Sequence, residues 1–195
     1  MKVSVIIPTY NRARLLTQAV DSVLNQTFKD YELIIVDNYS SDNTESVVKS
    51  YDDERIRYFK NQNHGLIGVN RNYGIQKSQG EYISFLDDDD LWLPGKLEKQ
   101  VELLDSNPEL GLVYSDINII GSNGNVLKDT YFHNVKPFRG NVFNELLVAN
   151  FISNLTVMVR KEALNKVGMF DLKYIIAQDY DLWLRIARDY TIDFI

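Results

Sequence analysis

The chain has 195 residues, 45% of them hydrophobic, which suffices for one domain with a real core and falls short of two full ones. Its 27 acidic against 21 basic residues give a formal net charge of -6, which argues against a nucleic-acid surface, because phosphate backbones are met by clustered basic faces. The lack of cysteine excludes a disulfide framework and a thiolate zinc site and leaves the redox compartment undetermined; a cytoplasmic address is the default expectation, and no stretch approaches the ~20 apolar residues that cross a bilayer, so any membrane association is expected to be peripheral, at the inner face.

In chain order, the first half alternates short β-branched runs with amphipathic stretches, the pattern of helices covering both faces of a largely parallel sheet. Val3 to Ile7 reads as a buried strand with no leader-like segment ahead of it, ended by Pro8, which has no amide hydrogen to donate. Leu15, Leu16, Ala19, Val20, Val23 and Leu24 recur at helical spacing and predict a helix over about Ala13 to Gln26, with Gln18, Asp21 and Ser22 outward. Leu33 to Val36 is the next strand. Asp42 and Glu45, three apart, predict a capping box for a short helix that ends before Asp52, and Arg55 to Lys60 reads as the third strand. A helix over about Gly68 to Ser78 is expected to close on Gly80 in the left-handed conformation. Tyr82 to Leu86 is a fourth strand.

Asp87, Asp88, Asp89 and Asp90 follow at once, just beyond a strand's carboxyl end, where open α/β sheets bind their ligands. After Pro94, Leu97, Val101 and Leu104 predict a helix to about Ser106, and Leu112 to Ile120 reads as one long strand turned by a hairpin at Gly121 to Gly124. Lys128 to Gly140 lacks periodicity and reads as a loop over the site. Leu155 to Arg160 is strand-like and Lys161 to Val167 helical. Gln178-Asp179 opens an amphipathic helix that packs Leu182, Trp183, Leu184 and Ile186 inward, and Thr191 to Ile195 reads as a strand cut short, so the chain is expected to be truncated there.

Four adjacent carboxylates repel one another unless a divalent cation relieves them, and hard oxygen ligands favour Mn2+ or Mg2+, which need only one or two protein carboxylates. An arbitrary acidic run is more often simply solvated; here an apolar strand leads in and Leu91-Trp92-Leu93-Pro94 fixes the exit. Asp37 ends the second strand as the acidic run ends the fourth, so it suits a nucleotide's base or ribose, and equally suits capping the next turn. Arg71 has the reach for a phosphate or a base, though most arginines are solvated surface. Asp179 falls in a helical first turn, where the dipole favours negative charge: suitable for a general base, and equally for an ordinary acid. Trp183 reads as core, Trp92 as core or a stacking wall, and His64 and His133 lack partners at metal-ligand spacing.

Together, Val3-Ser-Val-Ile-Ile-Pro-Thr-Tyr-Asn-Arg12, Val36-Asp-Asn-Tyr-Ser-Ser-Asp-Asn-Thr44, Phe85-Leu-Asp-Asp-Asp-Asp-Leu-Trp-Leu-Pro94 and Gly168-Met-Phe-Asp171 with Gln178-Asp179 resemble family 2 glycosyltransferases, in order and spacing, over nearly the whole chain. The resemblance implies an α/β, Rossmann-like GT-A fold: a mostly parallel central sheet, helices on both faces, and a small additional antiparallel element. It implies one domain over 1–195, with a nucleotide-binding half to about 90 and an acceptor-side half from about 91. It also implies a nucleotide-diphosphate sugar donor, commonly a UDP-sugar, a saccharide or glycolipid acceptor, and inversion at the anomeric carbon. By position, Pro8, Thr9, Asn11, Asp37, Arg71, Asp87 and Asp88 match nucleotide contacts, Asp89 the metal ligand, and Asp179 the catalytic base; the run of four acids leaves the register of the Asp-x-Asp element open among Asp87, Asp88 and Asp89.

Asn38 and Tyr39 stand where members often have Asp and Gly, and Gln178 where Glu usually precedes the base. No Gln-x-x-Arg-Trp signature follows Asp179. A sugar-phosphate nucleotidyltransferase would open with a Gly-rich, Lys-containing loop, whereas Thr9 to Arg14 contains no glycine, and the Gly-x-Gly-x-x-Gly of a dinucleotide site is absent. A nucleotide-sugar-binding module without transfer activity is the non-enzyme alternative.

Overall fold

The structure is a computed structural model that describes residues 1–121, 124–128, 130 and 136–195. Seven strands form the central sheet: β1 (Val3–Thr9), β2 (Tyr31–Asp37), β3 (Ile56–Lys60), β4 (Tyr82–Phe85), β5 (Leu110–Tyr114), β8 (Met158–Arg160) and β9 (Thr191–Phe194). Their order is β3-β2-β1-β4-β8-β5-β9. The first four are mutually parallel, β8 runs antiparallel to β4 and β5, and β9 is parallel to β5. A separate antiparallel pair, β6 (Ile119–Ile120) and β7 (Val126–Lys128), completes the architecture expected from the motifs.

The sheet is apolar on both sides because helices cover both. On one face Val5, Ile7, Leu33 and Ile35 pack with Leu16 and Val20 of α1 (Ala13–Leu24) and Leu97 and Leu104 of α4 (Lys96–Ser106). On the other, Ile6, Ile34 and Phe85 meet Ile75 of α3 (Ile67–Lys77), Ala163 of α6 (Lys161–Val167), and Leu182 and Trp183 of α7 (Gln178–Asp189). Alternate residues of β1 and β2 thus serve opposite cores, which is why those strands read as continuous apolar runs.

Several sequence expectations are corrected. Pro8 does not end β1. The Ile6 carbonyl faces β4, where it accepts the Leu86 amide, and Pro8 shares that side by the two-residue repeat, beyond the point where β4 has stopped; its missing hydrogen costs the ladder nothing. Gly80 does not adopt a positive φ; it is small because a Cβ there would lie 2.6 Å from the Ser4 amide nitrogen. The capping box does not form: Asp42 Oδ1 accepts from the Thr44 amide and hydroxyl at the start of α2 (Thr44–Lys49), while Glu45 pairs with Lys49 and Lys60. The helix α1 ends at Leu24, because Gln26 turns inward, donating to the Leu93 carbonyl and accepting from the Leu97 amide.

The expected strand from Leu112 to Ile120 is two, and the segment from Leu155 begins as a 3-10 turn (Asn154–Thr156) ahead of β8. A helix not foreseen, α5 (Phe143–Val148), lies before it. Of the expected loop from Lys128 to Gly140, 129 and 131–135, with His133, lie outside the described residues, as do 122 and 123 of the hairpin turn. Its described end packs along β5 and β9: Phe138 exchanges hydrogen bonds with Tyr114, and Gly140 bridges Ile192.

Candidate active site

The site forms where β1, β2 and β4 end together. Thr9 is in register with Asp37 across β1 and β2, and β4 runs directly into Asp87 to Asp90 on the other side of β1. Thr9, buried, donates its hydroxyl to Asp88 Oδ2 at 2.7 Å. Arg12 donates through Nη1 to Asp88 Oδ1 at 3.0 Å and to Asp89 Oδ2 at 2.8 Å. Arg71, buried in α3, donates to Asp87 Oδ1 at 2.7 Å and lays its guanidinium over the Phe170 ring, while its Nε has no partner among the described residues. Two arginines and a threonine thus hold the first three acids apart. Arg12 is the group that motif reading passed over, although it stands in a quoted segment.

Asp90 shows the strain that remains: burial, and then the charges of Asp87, Asp89 and Asp88, push its carboxyl up to about 6. Burial also raises Asp88, against the opposing bonds from Thr9 and Arg12. A divalent cation would relieve this repulsion. Of the four acids Asp89 alone is exposed, its side chain at 45%, and Arg12 holds its Oδ2. Among the described residues, no group of three or more His, Asp or Glu side chains converges as a preformed cage, so an ion here would take further ligands from phosphate and water.

Asp37 is fully buried and anchors the turn after β2. Its Oδ1 accepts from the Ser40 amide and hydroxyl, at 2.9 and 2.6 Å, and its Oδ2 from the Tyr58 hydroxyl. Asn11, at φ 52°, accepts through Oδ1 from the Ser41 amide at 2.7 Å, tying the turn after β1 to the same loop. Beside these turns Tyr10, Asn38, Tyr39, Gln62 and His64 line a cleft of about 410 Å3. His64, to which sequence gave no role, is therefore on a cleft wall. Tyr39 and His64 also hold positive φ, at 58° and 51°.

A second cleft, of about 290 Å3, is lined by Asp87, Asp179 and the segment Asn150 to Leu155. Asp179 reaches it from the first turn of α7, whose preceding residue, Ala177, is left-handed. Asn72 of α3 exchanges two hydrogen bonds with the Phe170 backbone, fixing the approach to α7. Asp87 and Asp179 thus share one cleft. Asp37 and Asp89 line neither, and connect to the clefts through neighbours, Asn38 and Tyr39 for the one and Asp87 for the other. Trp92 is core: it is 6% exposed and donates its indole hydrogen to the Leu155 carbonyl at 2.8 Å.

Residues 4–168 match the sequence profile described as Glycosyl transferase family 2. An uncharacterised glycosyltransferase of Methanocaldococcus jannaschii is 39% identical over 99% of this chain and 67% of its own length. The Escherichia coli UDP-Glc:alpha-D-GlcNAc-diphosphoundecaprenol beta-1,3-glucosyltransferase is 34% identical over 97% of this chain and 71% of its own. Among solved structures, a mannosyltransferase from Pyrobaculum calidifontis, in complex with GDP-Man and Mn2+, superposes with a TM-score of 0.77 at 23% identity, covering all of this chain and 54% of that one. Other curated relatives are longer, the chain spanning 32% of a Rickettsia conorii glycosyltransferase. Among the described residues, no helix is long and apolar enough to cross a membrane.

Proposed function

The chain belongs to glycosyl transferase family 2, and from that premise we propose that it moves a sugar from a nucleotide-diphosphate donor, a UDP-sugar first among them, to a hydroxyl of a saccharide or glycolipid acceptor, with inversion at the anomeric carbon. The observation that carries the reading is the cleft shared by Asp87, beyond β4, and Asp179, opening α7: an acid of the phosphate-side run faces a candidate base across a polar space.

In this reading the nucleobase enters the cleft of Tyr10, Asn38 and Tyr39, beside the turn that Asp37 and Asn11 brace, with Pro8 and Thr9 setting the end of β1 beneath it. Arg71 and Arg12 orient Asp87, Asp88 and Asp89 around the diphosphate. Mn2+ or Mg2+, held by Asp89, would neutralise the departing diphosphate. Asp179 takes the acceptor hydroxyl's proton as its oxygen bonds to the anomeric carbon; the bond from that carbon to the phosphate oxygen breaks, and its electron pair leaves with the diphosphate. Attack opposite the leaving group inverts the centre.

A glycolipid acceptor is favoured by exposed apolar residues that come just before the cleft-lining segments in the chain. Leu147 and Val148 precede one wall and Ile175 and Ile176 precede the other, and the four are 57, 87, 73 and 84% exposed. Exposed apolar side chains of this kind suit a saccharide carried on a lipid and a peripheral stance at a membrane surface. The E. coli relative's named acceptor is of that kind.

The test is incubation with manganese, a nucleotide sugar and a synthetic N-acetylglucosaminyl diphospholipid, read by nuclear magnetic resonance. Acceptor-dependent release of nucleoside diphosphate and a product of opposite anomeric configuration are expected. Retained configuration rejects the mechanism, and binding without turnover marks a non-catalytic module.

A further inference from the structure

The second cleft contains a group that the family motifs do not assign. Asn154 lines it together with Asp87 and Asp179, is 8% exposed, and has both side-chain polar atoms, Nδ2 and Oδ1, buried without a hydrogen-bond partner among the described residues. Leaving a buried amide unpaired costs about 1–3 kcal/mol, and native proteins rarely bear that cost without a use.

The surroundings hold the residue in place. Asn154 begins the 3-10 turn, in which the Thr156 hydroxyl donates to the Ser153 carbonyl at 2.6 Å. From beneath, the Trp92 indole donates to the Leu155 carbonyl at 2.8 Å, and Gln100, itself buried, donates to the Thr156 carbonyl at 2.7 Å. The backbone that follows Asn154 is therefore pinned to α4 and to the exit of the acidic run. The terminal amide torsion alone is soft. Turned into the cleft, the amide would present an adjacent donor and acceptor, which suits a sugar hydroxyl, itself both donor and acceptor.

We propose that Asn154 binds a hydroxyl of the pyranosyl group being transferred, and so helps to choose the donor sugar. This rests on the reading of the cleft given above, in which the sugar lies between the acidic run and Asp179.

The test uses Asn154→Ala and Asn154→Asp with manganese, titrating UDP, GDP, UDP-glucose, UDP-N-acetylglucosamine and GDP-mannose by calorimetry, with melting temperatures of the ligand-free proteins. For whichever nucleotide sugar the parent binds, affinity is expected to drop about tenfold in Asn154→Ala, the loss of one good hydrogen bond, while the matching free diphosphate stays within about twofold. The ligand-free Asn154→Ala protein is expected to melt no lower than the parent, since it loses an unpaired polar group. A lowered melting temperature marks Asn154 as structural and overturns the proposal, as does equal loss, or no loss, for sugar and diphosphate alike. If the parent binds none of the five ligands, the nucleotide-sugar reading fails, and this inference with it.

Discussion

The Thr9 hydroxyl donates to Asp88 Oδ2 across 2.7 Å, fastening the end of β1 to the acid run after β4. Asp88 is 4% exposed, so its remaining bond, from Arg12, carries the charge alone once the hydroxyl is removed. Thr9→Val, nearly the same shape, is expected to destabilise the protein by about 1–3 kcal/mol and to weaken nucleotide binding, whereas Thr9→Ser retains both. Chemical denaturation and calorimetry on the pair decide; equal behaviour of Val and Ser removes the bond from the account.

Asp89 is the acid proposed to hold the cation. Asp89→Ala is expected to abolish that part of nucleotide affinity which disappears from the parent on adding a chelator, and to leave the chelator-insensitive part in place. A parent whose UDP affinity is the same with and without chelator contradicts the metal assignment outright.

A base acts only as the acceptor proton leaves, so Asp179→Asn is expected to keep donor affinity within about twofold and to lower turnover by roughly 100- to 10,000-fold. Lowered donor affinity with parental turnover would assign Asp179 to binding instead.

Far from the site, Glu32 is 1% exposed and accepts from the Ser4 hydroxyl at 2.7 Å, the Gln79 amide at 2.6 Å and Arg57. Burial pushes its carboxyl up, but these donors together outweigh burial and hold it below the ordinary value. A carboxyl depressed in the folded state adds stability above its unfolded value, about 4.3, and loses it as pH falls through the folded value. Glu32→Gln is therefore expected to be less stable by about 2 kcal/mol near neutrality, with the gap closing as pH falls below the unfolded value of about 4.3. A gap that stays constant in urea unfolding across that range excludes the linkage.

Periodicity and strand-end acids were enough to place β1, β2, β4, α1, α4 and α7, because those elements bury continuous or 3.6-spaced apolar faces. What escaped was set by partners distant in sequence. Pro8 stays in a strand because β4 stops short of it, and Gly80 is glycine because the β1 backbone crosses it closely. In the site, Asp87, Asp88 and Asp179 could be named from motifs, whereas Arg12 takes its meaning from two carboxylates more than seventy residues on. Asn154 gave no signal in sequence, since an unpaired amide is visible only once its surroundings are known.

Gly68 and Gln178 show how the candidate base is seated. A Cβ on Gly68 would lie 2.2 Å from Gln178 Oε1, so α3 and α7 meet there with no room for a methyl group, one residue from Asp179. Gln178 is buried, with Nε2 on the Ile175 carbonyl and Oε1 without a partner among the described residues. Gly68→Ala is expected to drive the Gln178 side chain aside and shift the first turn of α7. Overpacking of this kind costs about 1–3 kcal/mol, and a small displacement of a catalytic group costs up to about 100-fold in rate. Gln178→Ala on its own removes the obstructing amide. In the double variant Gly68→Ala/Gln178→Ala, turnover is therefore expected to recover toward that of Gln178→Ala, the non-additivity that contacting residues show. Strictly additive losses in the cycle would mean that Gly68 acts on α3 itself and that Gln178 is not the group it makes room for.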